Sequence, residues 1–162
     1  MKKDDKTNVH RVLDQKKIEY TARSFEYKDG EPCDAVTVAA KLGKDITALY
    51  KTLVTKSGSG NYYVFVIPGA EKLDYKKAAK AVGEKSLCMI PSADLLGLTG
   101  YIHGGCSPIG MKKLFPTVFH EAVLELDTVT VSAGKIGKQV EIAPDKLIPL
   151  VNGKIADIIV AE

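Results

Sequence analysis

Leu49-Tyr50-Lys51-Thr52-Leu53-Val54-Thr55 and, beyond Ser57-Gly58-Ser59-Gly60-Asn61, Tyr62-Tyr63-Val64-Phe65-Val66-Ile67 are the stretch whose reading decides the fold. Both runs are rich in β-branched and aromatic residues, which suit a pleated, half-buried surface better than a helix. The five residues between them have the composition of a hairpin loop, so the runs are predicted to pair antiparallel. In the first run the two-residue period of a strand puts Lys51 on the same face as Leu49 and Leu53. A lysine on an apolar face either snorkels out at the sheet edge or sits in a pocket, where its ammonium meets a phosphate or a developing oxyanion.

Working outward toward the N-terminus, Thr7 or Asn8 caps a helix that carries Val9, Val12, Leu13 and Lys16 at helical spacing and ends near Lys17. Residues 18–25 read as extended, Asp29-Gly30 with Pro32 as a turn, and a short helix starts after Asp34 and stops at Gly43. Toward the C-terminus, Asp74 caps a helix ending at Gly83, residues 86–90 form a buried strand, and a helix from Ser92 through Leu98 stops at Gly100. Short strands follow near residues 117–119, 129–132 and 139–142, with turns at Gly134 and Gly137. Pro144 opens a helix leading to Leu150, and a last strand covers residues 155–160. Strands outnumber helices and do not alternate with them as in a doubly wound sheet. The expectation is a single α+β domain, residues 1–162, on a curved, barrel-like mixed sheet flanked by helices.

Composition narrows the setting. With 162 residues, 45% hydrophobic and 27% charged, the chain has the make-up of one self-sufficient globular core. Its longest apolar run, residues 62–68, falls far short of the roughly 20 residues a membrane helix needs. Cys33, Cys88 and Cys106 are widely spaced, form no CxxC pair for zinc and leave an odd thiol under any disulfide pairing, which suits a reducing cytoplasm. His10 and His120 lack metal-like spacing, so no metal and no cofactor is expected. The net charge of +3 attracts nucleic acid only mildly, and contact with RNA must come from a local patch; a membrane and DNA are not expected partners. Lys76, Lys77 and Lys80, with Lys112 and Lys113, are either a solvated face or, if they surround a pocket, holders of phosphates.

Two further segments can carry chemistry. Gly104-Gly105-Cys106-Ser107-Pro108-Ile109-Gly110 offers adjacent glycines whose backbone can approach a ligand closely, so its amides can converge on an ester oxygen or phosphate; the plain alternative is a tight connector. Cys106 as a nucleophile would need a base, and His103, three residues away, would point to the opposite face if a strand ran that far. Ser132-Ala133-Gly134-Lys135 sets a hydroxyl and a lysine at a sheet edge, or is simply a hairpin turn with a solvated lysine.

In order and spacing, Tyr50-Lys51-Thr52-Leu53-Val54, Leu73-Asp74-Tyr75-Lys76-Lys77-Ala78-Ala79-Lys80, Leu98-Thr99-Gly100-Tyr101 running into the 104–110 loop, and Ser132-Ala133-Gly134-Lys135 with Glu141-Ile142-Ala143-Pro144 resemble the YbaK/EbsC family across nearly the whole chain. That family is similar in fold to the editing domain inserted in bacterial prolyl-tRNA synthetases, and its free-standing members deacylate Cys-tRNA(Pro), with some action on Cys-tRNA(Cys). The resemblance implies an aminoacyl-tRNA substrate and prolyl-tRNA synthetase as a partner. It places the family's essential lysine on Lys51, its glycine loop on Gly104 and Gly105, and substrate contacts on Phe25, Tyr101, Ser107, Ser132, Gly134, Lys135 and Gln139. Phe25 stands where members often have tyrosine, and Gln139 where some have aspartate. The mechanism implied lets the substrate's own thiol attack its ester carbonyl, so the enzyme needs no nucleophile and supplies proximity and an oxyanion hole. Left open beside it are deacylation of another small residue, such as Ala-tRNA(Pro) by water attack, and a non-catalytic module that docks on tRNA or the synthetase.

Overall fold

The structure, a computed structural model, describes residues 6–161. The predicted hairpin is its centre: β2 (Tyr50–Ser57) and β3 (Tyr62–Pro68) pair antiparallel, with Lys51 opposite Ile67 and Val54 opposite Val64. Ser59, Asn61 and Tyr63 of this hairpin all donate to the Glu84 carboxylate, whose pKa those bonds pull down to about 2.

Three of the α-helices begin on a side-chain cap. α2 (Ala35–Leu42) starts with the Asp34 carboxylate accepting from Thr37 N and stops at Gly43 with φ 66°. α3 (Tyr75–Val82) starts likewise on Asp74 and stops at Gly83. α1 (Asn8–Gln15) has an unusual capping box in which Thr7 Oγ1 accepts from His10 N while His10 Nδ1 accepts from Thr7 N at 2.9 Å. α4 (Ser92–Thr99) and α5 (Pro144–Leu150) complete the set, the latter with proline in its first turn, where the missing N–H costs nothing.

The remaining strands are β1 (Thr21–Ser24), β4 (Leu87–Met89), β5 (Thr117–His120), β6 (Val129–Lys135), β7 (Lys138–Ile142) and β8 (Lys154–Ala156). They form a five-stranded sheet in the order β4-β2-β3-β5-β8 and a three-stranded sheet in the order β1-β7-β6. The pairs β3–β5 and β5–β8 are parallel, which makes the larger sheet mixed. A parallel bridge between Leu49 and Thr130 joins the two sheets, so the wall is an open curve and not a closed barrel.

The main core lies between the sheets and takes Val54, Val64, Val66, Phe119, Val129, Val131, Val140 and Ile142, with Val9 and Leu13 of α1 closing one side. On the other face of the larger sheet, Phe65, Ile67 and Val118 pack against Ala78 and Ala79 of α3. Fully buried side chains such as Phe65 and Phe119 each contribute on the order of 1.5–3 kcal/mol.

Two expectations change. The strand expected to be buried over 86–90 is a three-residue edge, β4, that pairs only with Thr55–Ser57 at the far end of β2; Leu87 alone is buried, and Cys88 and Met89 are exposed. The expected last strand is shorter, because after Ala156 the chain turns to another partner: Asp74 N donates to Ile158 O at 2.8 Å and Val160 N to Lys72 O at 2.9 Å.

Candidate active site

β2 has β3 along one edge throughout, but its other edge is covered only at the ends, by β4 at Thr55–Ser57 and by the β6 bridge at Leu49. Gly69 N donates to Leu49 O and Ile90 N to Val54 O, so odd-numbered peptide groups face β3 and even-numbered ones face outward. Between those covered ends, the N–H and C=O of Thr52 therefore face a gap with no strand beside it. A cavity of about 540 Å³ fills that gap, within the range of small-ligand pockets.

One wall is the uncovered edge itself, Lys51, Thr52, Leu53 and Val54. Lys51 is half-buried, and burial lowers the pKa of its ammonium, opposed by the Glu71 charge. Among the described residues its Nζ has no hydrogen bond or ion pair, which leaves a partly desolvated cation on a residue that lines the cavity. A second wall is the Ser132–Gln139 cross-strand pair of β6 and β7, whose side chains share a face. Ser132 Oγ accepts from Gly134 N at 3.2 Å, and Gln139 is 5% exposed.

The start of α2 supplies Cys33, Asp34 and Ala35, brought in because Gly69 lets it approach: a Cβ on Gly69 would sit 2.2 Å from the Ala35 Cβ. The loop ahead of β5 supplies His103, Gly104 and Cys106. Gly104 has φ +88°, and a Cβ there would lie 2.8 Å from Cys33 Sγ; a Cβ on Gly105 would lie 3.2 Å from both the Lys135 Cα and the Ile136 N. The two glycines thus bring the loop against the β6–β7 turn, joining the two glycine segments singled out in the sequence.

Of the expected catalytic set, Lys51 and Gly104 line the cavity together and Gly105 does not; the Gly105 N–H is spent on Ile102 O at 3.0 Å, whereas Gly104 N has no acceptor among the described residues. Of the expected substrate contacts, Ser132 and Gln139 line it and five do not. Tyr101 is buried, donates its hydroxyl to Ile109 O and packs where a Cβ on Gly134 would meet its ring at 2.8 Å. Ser107 is wholly buried and accepts from Ile109 N. These two hold the loop in shape instead of reaching the cavity. Phe25 packs on Val38, Ala39 and Leu49 beneath the Lys41 ammonium, Lys135 is exposed, and Gly134 occupies the β6 bulge.

Burial pushes the Cys106 thiol up to about 12, which removes the thiolate a nucleophile requires. Among the described residues no group of three or more His, Cys, Asp or Glu side chains is placed to hold a metal, and no helix is long and apolar enough to cross a membrane. None of the five lysines weighed as phosphate holders lines the cavity, and Lys77 is engaged with Asp157 and the Ile159 carbonyl. Cavity residues that the sequence did not mark as site residues include Cys33, Asp34, Gly69, Ile90 and Leu95. Asp34 was legible only as a helix cap.

Residues 31–150, which hold every residue lining this cavity, match the aminoacyl-tRNA editing domain family. The chain belongs to that family. A member from Enterococcus faecalis, EbsC, described as a candidate Cys-tRNA(Pro)/Cys-tRNA(Cys) deacylase, is 44% identical over 161 residues, 99% of this chain and 98% of its own. Two solved structures share the fold: a protein described as a candidate trans-editing enzyme for prolyl tRNA synthetase, with TM-score 0.82 and 23% identity over 95% of this chain and 96% of its own, and the protein APE2540, with TM-score 0.85 and 21% identity over 95% and 100%. Aminoacyl-tRNA editing gives the chain a substrate class: the ester that joins an amino acid to a tRNA.

Proposed function

We propose that the chain is a trans-editing deacylase that removes cysteine from Cys-tRNA(Pro), accepts Cys-tRNA(Cys) as well, works in the cytoplasm beside prolyl-tRNA synthetase, and acts as one editing unit over residues 1–162. The observation that carries this is the Lys51 ammonium, without a hydrogen bond or ion pair among the described residues, in a cavity bounded by Gly104, in a chain 44% identical to a candidate deacylase of those two substrates. About 540 Å³ holds an esterified cysteine with part of the terminal nucleoside.

Held bent in that cavity, the substrate's thiol sulfur attacks the ester carbonyl carbon. The new C–S bond closes a thiolactone, the C–O bond to the ribose breaks, and the ribose oxygen leaves with the thiol proton. The Gly104 N–H and the Lys51 ammonium donate to the carbonyl oxygen as it gains charge. Cys106 takes no part, in keeping with its raised pKa. Ser132 and Gln139 orient the aminoacyl group, and Gly105, Tyr101, Ser107, Gly134, Lys135 and Phe25 support the walls from behind.

Deacylation of Cys-tRNA(Pro) and Ala-tRNA(Pro) by the purified protein, with and without prolyl-tRNA synthetase, tests the reading. Cysteine should be released faster than alanine, and Lys51→Ala should lower the rate about 100-fold with little change in Tm. Equal release of both amino acids would favour water attack over the substrate thiol. Absence of turnover with either, synthetase included, would leave a docking module.

A further inference from the structure

The cavity has one feature that the oxyanion chemistry does not use. Among the described residues that line it, Asp34 is the one carboxylate and Lys51 the one lysine, while Ser132, Gln139 and Thr52 are neutral. Both oxygens of Asp34 already serve α2: Oδ2 accepts from Thr37 N at 3.2 Å and Oδ1 from Thr37 Oγ1 at 2.6 Å. A carboxylate has about four lone-pair sites, so each oxygen keeps capacity for a further donor. These two bonds also hold the Asp34 carboxyl below its usual range, with Thr37 Oγ1 the larger cause, so it stays charged near neutral pH.

An aminoacyl ester brings a group that suits such an acceptor. Its α-amino group, protonated at and below neutral pH, sits one carbon from the carbonyl under attack, and the phosphates lie on the far side of the ribose. A cavity with a cation for the oxyanion or phosphate side and an anion elsewhere on its wall matches that separation of charge.

We propose that Asp34 receives the α-ammonium of the esterified amino acid, so that the cavity acts on free aminoacyl-tRNA and spares tRNA whose amino group is acylated. This rests on the deacylase reading above. Acylation removes the charge and one or two N–H donors and adds bulk on the side where α2 begins.

The test is kcat/KM for Cys-tRNA(Pro) and N-acetyl-Cys-tRNA(Pro) with the wild-type chain, Asp34→Asn and Asp34→Ala. Asparagine caps a helix about as well as aspartate, so Asp34→Asn removes the charge while α2 stays capped, which an unchanged Tm verifies. The wild type should prefer the free substrate about ten-fold, and Asp34→Asn should lose that preference by slowing on the free substrate alone. Asp34→Ala should lose it too, with a lower Tm from the missing cap. A wild type indifferent to acetylation, or an Asp34→Asn variant that keeps the preference, overturns the role of Asp34 and leaves the deacylase reading standing. If the wild type turns over neither substrate, the deacylase reading fails and this inference falls with it.

Discussion

On one side of the cavity stands a strand hydrogen-bonded to β3 along its length, and on the other a loop that no ladder holds, pressed against the β6–β7 turn. The strand side presents side chains on a backbone fixed elsewhere, so Lys51 can be removed without moving its neighbours. The loop side has its backbone as the working surface, positioned by the absence of side chains at Gly104 and Gly105 and by the Tyr101 hydroxyl. Mutations therefore report different things on the two sides: chemistry at Lys51, shape at the loop.

The hardest test of that contrast is Gly104→Ala beside Lys51→Ala. At φ +88°, with Cys33 Sγ 2.8 Å from the new methyl, Gly104→Ala should lose activity at least as completely as Lys51→Ala and also destabilise by about 2 kcal/mol, lowering Tm by roughly 4–8 °C, whereas Lys51→Ala should barely move Tm. Equal Tm values for the two variants in a thermal melt would dissolve the distinction. Tyr101→Phe comes next, since it strands the buried Ile109 carbonyl; about 1 kcal/mol of stability and a few-fold of activity should go together. A stability loss with full activity would show that the loop keeps its shape without this tether.

Cys106→Ala sharpens the comparison from the opposite direction. It lines the cavity on the loop side, yet its thiol, pushed up to about 12, should contribute packing alone, so turnover should stay within about three-fold while stability falls by about 1 kcal/mol. Loss of activity without loss of stability would make it a reacting group after all.

The smallest effect comes from behind the loop. α1 backs it through Asn8 Nδ2, which donates to Gly110 O at 2.9 Å, and α1 is capped by His10 Nδ1 accepting from Thr7 N. Burial, then the Lys138 charge, lowers the His10 pKa below its ordinary 6.5. The unfolded chain therefore binds this proton more readily, so stability is fully present above pH 6.5 and declines as pH falls through the depressed native value. Urea unfolding at pH 7.5 and 5.5 should show a shallower pH slope in His10→Gln than in the wild type; equal slopes would exclude His10 as the source.

How far the sequence could be read follows from the range of the interactions involved. Asp34, Gly43, Asp74 and Gly83 bound their helices within a few residues, so α2 and α3 were legible to the residue. Lys51 stood out because strand alternation is local too. The order β4-β2-β3-β5-β8 was not legible, since nothing in residues 117–120 names β3 as a partner, nor was the edge position of β4, which depends on how little of β2 it covers. The same limit hid the burial of Tyr101 and Ser107 and the place of Asp34 beside the cavity, which exists because Gly69 admits α2.

The pairing of Thr21 with Glu141 has a kinetic consequence. β1 waits for β7, and β6 and β7, which carry Ser132 and Gln139, leave the ribosome after every other wall of the cavity. Contacts this distant in sequence slow folding because their loop entropy is lost before they form. A nascent chain stalled before residue 138 lacks a partner for β1 and the Gln139 side of the cavity. Editing capacity should consequently appear in one step, once β7 is free to pair with β1 and β6.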